Sequence, residues 1–475
     1  MIKFGTSGWR GIIADDFTFE NVRIVTQAIS EYVNKNSPNN LKSVIVGYDT
    51  RFLSDKYAEL SAEVLAGNGI KALLCKRDTP TPVISFEIIR RAADGGINFT
   101  ASHNPYNYNG LKFSPSWGGP ALPETTEAIE KSCRLLSKES IKKINLNYAK
   151  NQGFLEYIDP RPKYLSQIKK LVNFNAIKKG RFKVAVDLLN GTATGYLDEL
   201  LKDAGISCVI TRDWRDVMFP KSGAPEPNRE NLRDLYSLMK KESCSLGIAT
   251  DGDADRFGIL DNDGTFINPN EIISVLLYHL IKSRGWKGIV ARSVMTTHLI
   301  DKIADKFGLQ IKETPVGFKY IGEILNKEKE SFVIGGEESG GLTIRGHVPE
   351  KDGILACLLV VEMISESKKS IKKILSEIYN LVGPVFSDRV NFRLSSDEME
   401  TLKNKLKEKT PDNFSGLKVK KLITVDGYKF IFENDSWLGI RLSGTEPVVR
   451  LYVEADSKLK IKNLISAGEK YIKGS

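Results

Sequence analysis

No two of the five cysteines (Cys75, Cys133, Cys208, Cys244, Cys357) stand at C-x-x-C spacing, and an odd number leaves no complete disulfide framework. Reduced, mostly buried thiols are expected. Charge of one sign never accumulates either: no block of five or more like charges occurs, and the lysine-rich Lys403-Asn-Lys-Leu-Lys-Glu-Lys409 is interrupted by other residue types. That argues against a nucleic-acid partner, although Lys plus Arg (69) exceed Asp plus Glu (59) and the formal net charge is +10. A modest positive field suits anionic metabolites. Long hydrophobic runs are missing too. The longest, residues 354–361, falls far short of the roughly 20 residues that span a bilayer, and residues 1–8 lack the apolar stretch of a secretory signal. A cytoplasmic enzyme or binding protein without a membrane partner is the expectation.

The most informative segment present is Asp251-Gly-Asp-Ala-Asp-Arg256, flanked by short apolar runs at 245–250 and 257–260. In an extended segment, residues i, i+2 and i+4 share a face, so Asp251, Asp253 and Asp255 are expected to converge on one cation. Oxygen-only ligation favours a hard ion such as Mg²⁺ over zinc. A solvated Gly/Asp turn is the plain alternative. An EF-hand is excluded, because Arg256 and Asn262 stand where its loop needs Gly and Glu.

Around this segment the chain alternates strand and helix patterns in three rounds. Strands are expected at 44–48, 70–75 and 96–100, at 182–187, 207–210 and 246–249, and at 288–292, 310–313 and 331–334. Helices fall between them at 56–67, 81–91, 194–204, 231–241 and 298–307. Such alternation predicts an α/β fold: three similar mixed or parallel α/β domains around a central cleft. The third strand of each round runs into a polar loop: Ala101-Ser-His-Asn-Pro105, residues 251–256, and Gly335-Gly-Glu-Glu-Ser-Gly-Gly341. Ligands bind outside the carboxyl ends of strands in open α/β sheets, so the three loops are expected to face that cleft. Beyond Gly383-Pro384, five strand patterns and two helices predict a smaller α+β domain. The expected divisions are 1–150, 151–258, 259–383 and 384–475. In the last, Arg441-Leu-Ser-Gly-Thr-Glu-Pro447 offers a guanidinium fork, two hydroxyls and backbone N–H groups to a phosphate.

A serine needs charge stabilisation and a proton partner to act as nucleophile or leaving group. For Ser102 the aspartates offer the first. Lys112, after Asn109-Gly-Leu111, is a candidate for the second if nearby cations lower its pKa.

Six motifs in order now carry a resemblance: Gly5-Thr-Ser-Gly-Trp-Arg-Gly11, the Ser102 loop, Asn109-Gly-Leu-Lys112, Asp251 to Arg256, Gly336-Glu-Glu-Ser-Gly340 and Arg441 to Pro447. Together they resemble the phosphoglucomutase/phosphomannomutase (α-D-phosphohexomutase) family across nearly the whole chain. The resemblance implies four domains and an isomerase that interconverts hexose 1-phosphate and hexose 6-phosphate. It implies that Ser102 carries a phosphoryl group and joins Asp251, Asp253 and Asp255 around Mg²⁺. Lys112 would be the general acid/base, with Arg10 and His103 near the phosphoserine and Arg256 near the transferring group. Glu337, Ser339 and Lys319 would face the sugar, while Arg441, Ser443, Gly444 and Thr445 would hold the non-reacting phosphate. Glucose 1,6-bisphosphate is the implied intermediate and activator, hexose phosphates are the partners, and a monomer or small homo-oligomer is expected.

The chain departs from the family pattern in both the phosphate loop and the sugar loop, where Glu338 is also not the usual neighbour. Leu442 replaces the usual proline after Arg441, and Gly341 stands where mannose- and glucosamine-directed relatives commonly have histidine. The latter, with His347-Val-Pro-Glu-Lys-Asp-Gly353, favours glucose phosphate with mannose phosphate second. Rival readings are a phosphatase with Asp251 as nucleophile and Asp253 as acid/base, and a non-catalytic sugar-phosphate sensor. His279 reads as core packing, and His298 as a capping, packing or cleft residue.

Overall fold

The computed structural model describes residues 2–5, 8–408, 410–414, 416–442 and 448–474. Three sheets repeat one topology. In the first, strand Ser43–Tyr48 is flanked in parallel by Lys71–Cys75 and Gly95–Phe99. In the second, Lys183–Asp187 lies between Ser207–Thr211 and Leu246–Thr250. In the third, Ile289–Ser293 lies between Gln310–Thr314 and Phe332–Glu337. These nine strands were expected; in the seven that are mostly buried, cover on both faces leaves continuous apolar runs, whereas the edge strands Ser207–Thr211 and Gln310–Thr314 are largely half-buried or exposed.

Each third strand then turns back into an antiparallel partner, respectively Tyr108–Pro115, Phe257–Leu260 and Gly341–Ile344. The three polar loops are therefore hairpin connections at equivalent places in three sheets. Two sheets also extend beyond the expected divisions. Leu155–Ile158 pairs in parallel with Lys71–Cys75 in the first sheet, and the hairpin of Phe257–Leu260 with Phe266–Ile267 completes the second. A division at 150 cuts off an edge strand, and one at 258 falls inside a strand; the sheets place these boundaries beyond Ile158 and Ile267.

The fourth unit has a six-stranded antiparallel sheet, in the order Phe386–Arg393, Val448–Ala455, Trp437–Leu442, Tyr428–Phe432, Leu417–Ile423 and Asn413–Phe414. Helices Ser396–Glu408 and Lys458–Lys473 accompany it, as an α+β unit requires.

The apolar run at 354–361 lies in helix Gly353–Ser367, buried on nearly every side. It packs on strand Leu246–Thr250 of the second sheet and on Gly341–Ile344 of the third, so one hydrophobic core spans both units. No helix among the described residues is long and apolar enough to cross a membrane.

Candidate active site

Ser102 lies in the first hairpin loop with a left-handed backbone (φ 53°) and 1% exposure. Its N–H donates to Thr100 Oγ1 at 2.8 Å. Its carbonyl accepts from Arg51, whose buried guanidinium also donates to the carbonyls of Asn104, Pro105 and Tyr108. Asp49 anchors that arginine, facing Nε at 3.2 Å and accepting the Arg51 N–H at 2.9 Å. Thus held, Ser102 Oγ donates to Asp251 Oδ2 at 2.9 Å and lies 3.3 Å from His103 Nδ1.

The three aspartates converge, with oxygens within 4.8 Å of one another. The geometry differs from the extended segment expected. Residues 251–256 form a turn with Ala254 at φ 57°. It closes through Asp251 N–H to Arg256 O at 3.2 Å and Ala254 N–H to Asp251 O at 3.0 Å. Asp251 Oδ1 accepts the N–H groups of Asp255 and Arg256, so that carboxylate folds the loop as well as facing Ser102. Left-handed non-glycine residues carry strain and cluster at functional sites; here two occur on facing loops.

Lys112 projects from the antiparallel strand Tyr108–Pro115. Its ammonium sits 2.6 Å from Asp253 Oδ2 and 2.9 Å from Asp255 Oδ2. The sequence made Lys112 a proton partner on condition that nearby cations lower its pKa, and the structure gives the opposite direction. Burial pulls the ammonium down, yet Asp253 and Asp255 outweigh it and raise the pKa above the ordinary lysine value. Thr81, at the start of helix Thr81–Arg91, adds its hydroxyl to Asp253 Oδ2 at 2.6 Å. Arg10, on strand Gly8–Ile12, donates from Nη1 to Asn104 Oδ1. His103 is held neutral, its pKa pushed well down by burial, then by Arg256 and Arg10. Arg256 Nε lies 3.9 Å from Asp255 Oδ1.

The third hairpin brings Glu337, whose Oε1 accepts the Gly317 N–H at 2.7 Å. Burial, then Glu338, raises its pKa to about 7. Glu338 accepts from Ser293 Oγ and Thr296 Oγ1. Ser339 follows in the half-buried turn, and Lys319 lies half-buried on helix Phe318–Lys327. In the fourth unit Arg441 is the penultimate residue of strand Trp437–Leu442 and donates from Nε to Asp426 Oδ1 at 2.9 Å. Ser443, Gly444 and Thr445 lie outside the described residues.

The comparisons with known proteins now bear on this arrangement. Models of the phosphoglucomutase/phosphomannomutase α/β/α domains I, II and III match residues 1–139, 162–264 and 268–382, and the model of its C-terminal domain matches 397–467. The chain belongs to the phosphoglucomutase/phosphomannomutase family. It is thereby a phosphohexomutase, an isomerase that takes sugar phosphates. A Thermococcus kodakarensis phosphoglucomutase/phosphomannomutase is 31% identical over 469 residues, covering 99% of this chain and 98% of the relative. A Methanosphaera stadtmanae protein designated a probable phosphoglucosamine mutase is 30% identical over 470 residues, covering 99% and 98%. A crystal structure from Thermus thermophilus, with a phosphomannomutase designation, aligns at TM-score 0.85 and 32% identity over 100% of this chain and 99% of its own.

For a phosphohexomutase of this family, the donor set can be tested against a divalent cation. Asp253 Oδ1 and Asp255 Oδ1 are buried with no hydrogen-bond partner, and they belong to an oxygen-only cluster. Unpaired buried carboxylate oxygens suit a hard metal ion, so the residues fit. The other close acidic group, His279 with Glu362 and Glu366, is structural: Arg284 donates to both Glu362 oxygens and His279 Nε2 meets Glu362 at 3.0 Å.

Three residues of the site were missed from sequence. Lys351 reaches Asp255 Oδ2 at 3.1 Å and Glu350 Oε1 at 3.3 Å. Arg51 ties the Ser102 loop, and Thr81 braces Asp253. The signal available for Arg51 was its place just past the carboxyl end of strand Ser43–Tyr48. Lys351 precedes Asp352, the cap of the buried helix. Its carbon stem lies against Gly341, where a Cβ would come within 2.1 Å of Lys351 Cδ.

Proposed function

We propose that the protein interconverts hexose 1-phosphate and hexose 6-phosphate through phosphorylated Ser102 and a hexose 1,6-bisphosphate, with glucose phosphate preferred and mannose phosphate second. The reading rests on the 2.9 Å contact of Ser102 Oγ with Asp251 Oδ2, because it joins the hydroxyl of one unit to the carboxylate set of another. In the forward half-reaction the P–Oγ bond to Ser102 breaks as a bond forms from phosphorus to the sugar hydroxyl. Lys112 can take the hydroxyl proton only as the neutral amine, a form that a cation on Asp253 and Asp255 would favour by offsetting the carboxylate charge that raises its pKa. Ser102 Oγ leaves as an alkoxide. In the second half, once the bisphosphate has turned round, that oxygen bonds to the other phosphorus as the sugar P–O bond breaks and the Lys112 ammonium protonates the departing sugar oxygen. Arg10 and Arg256 offset charge spreading over the transferring group, and His103 lines it as a neutral donor or acceptor. A divalent cation held by Asp251, Asp253 and Asp255, with Mg²⁺ favoured by oxygen donors, would offset further phosphoryl charge.

Glu337, titrating near neutrality, can donate to or accept from a sugar hydroxyl, with Ser339 and Lys319 beside it. Arg441, with Ser443, Gly444 and Thr445, would grip the phosphate that is not reacting. The glucose preference is supported by Lys351: its stem fills the space in which a histidine at position 341 would begin.

Incubation with glucose 1,6-bisphosphate followed by phosphopeptide mapping tests the chemistry. Stable label on Ser102 is expected, and fully active enzyme that never labels Ser102 would overturn it. Turnover on glucose 1-phosphate, mannose 1-phosphate and glucosamine 1-phosphate tests the preference; faster conversion of either other sugar refutes it.

A further inference from the structure

Arg441 is held by a residue outside its own loop. Asp426 sits in the turn between strands Leu417–Ile423 and Tyr428–Phe432, and it bonds in two directions. Oδ1 accepts from Arg441 Nε at 2.9 Å, and Oδ2 accepts the N–H of Val316 in the third unit at 3.1 Å. Val316 opens the short segment leading to Gly317, whose N–H binds Glu337, and to Lys319. One carboxylate therefore ties the backbone beside the sugar-facing residues to the guanidinium at the end of Trp437–Leu442.

The turn is shaped to bring Asp426 there. Gly427 has φ 82°, and a Cβ on it would lie 2.6 Å from Ile440 O and 3.2 Å from Arg441 Cα. Only glycine lets the turn lie against the strand that carries Arg441. The carboxylate is 24% exposed and the guanidinium 15%, a partly desolvated pair in which the bond to Nε fixes the plane of the guanidinium fork.

We propose that Asp426 is a positioning residue for substrate phosphate, setting the orientation of Arg441 from an anchor on the Val316 N–H. This rests on the reading of Arg441 as a phosphate contact. A pre-oriented fork does not have to be ordered when substrate arrives. Asp426 should therefore act on binding that ground state and transition state share, which appears in KM more than in kcat.

The test measures KM and kcat for glucose 1-phosphate, with glucose 1,6-bisphosphate present, in wild type, Asp426→Ala, Asp426→Asn, Arg441→Ala and the Asp426→Ala/Arg441→Ala double variant. Asp426→Ala is expected to raise KM about tenfold or more while kcat stays within about threefold. Asp426→Asn, which keeps one acceptor, should fall between it and wild type. The double variant should match Arg441→Ala, because Asp426 acts through that arginine. An unchanged KM in Asp426→Ala, a fall confined to kcat, or additive losses in the double variant would overturn the positioning role. An Arg441→Ala enzyme with wild-type KM would instead refute the phosphate contact itself. Thermal melting of each variant separates a folding defect from a loss of grip: a KM rise that tracks only with a lowered melting point counts against the proposal.

Discussion

A lysine in place of Arg51 would bring one ammonium to a place where a guanidinium now serves the carbonyls of Ser102, Asn104, Pro105 and Tyr108. Three rotatable donors cannot reproduce the planar fork, and the Ser102 carbonyl among those left unserved is buried. Arg51→Lys is expected to lower the urea midpoint of the first unit by the equivalent of about 2 kcal/mol and to slow labelling of Ser102 by glucose 1,6-bisphosphate. A variant with wild-type stability and labelling would show that the loop holds its left-handed serine unaided. Lys112→Ala is expected to reduce kcat by about 10²–10⁴-fold with a much smaller change in KM, and a wild-type rate would remove it from the mechanism. The sequence could nominate Lys112 because it closes the recognisable tetrad Asn109-Gly-Leu-Lys112. It could not supply the direction of the pKa shift, which depends on Asp253 and Asp255 arriving from a loop in another unit, far along the chain.

At the level of elements, the central parallel strands were legible because burial on both faces leaves unbroken apolar runs, and most helices because one buried face recurs at helical spacing. The returning hairpin strands were harder to read. Tyr108–Pro115 mixes Asn109, Gly110 and Lys112 among apolar residues, because it packs on one side and serves the site on the other. Arg441 was visible in its motif, whereas its partner Asp426 has no spacing signal at all; only the sheet brings the two turns together. Another such meeting occurs at Asp352. Its Oδ1 caps helix Gly353–Ser367 through the Leu355 N–H, and its Oδ2 receives the Tyr164 hydroxyl at 2.5 Å and faces His347 Nε2 at 2.7 Å. The cap directly follows Lys351, so this hub fixes where that ammonium stands. Tyr164→Phe removes one bond without creating a cavity. It is expected to cost about 1 kcal/mol of stability and to lower kcat/KM a few-fold by loosening Lys351, as denaturation and steady-state rates would reveal; unchanged rates would confine the hub to folding.

For the molecule as a whole, the seam between the third and fourth units contains an unusual cation. Lys429 is fully buried, donates to Val294 O at 2.6 Å, meets His298 Nε2 at 2.9 Å and lies 4.0 Å above the Trp437 ring. His298 is thus a seam residue, and its N–H binds Glu454. Burial and then Arg292 bring the Lys429 pKa down to about 7, against Glu313, Glu454 and Asp301; His298 is itself held neutral by burial and by Lys429. An unfolded lysine keeps its proton to about pH 10.4. Between the two values the unfolded chain binds more protons, so this group's contribution is greatest above the unfolded value and is lost as pH falls toward 7. Urea midpoints from about pH 7 to about pH 10 should climb less steeply in Lys429→Met than in wild type; matching slopes would mean that another group titrates.

The helix Gly353–Ser367 also alters how the molecule should be counted. By sheets there are four units, but the core that this helix fills is shared by the second and third, which keep only smaller clusters of their own on the far faces of their sheets, while the first and fourth have cores of their own. Neither middle sheet can lose its packing without exposing the helix to water, so the two have a common fate. Scanning calorimetry should resolve at most three cooperative melting events from this four-sheet chain. An attempt to express either middle unit alone should give an insoluble product, and even the two together would lack Val83 and Phe86, which helix Thr81–Arg91 of the first unit adds to their core.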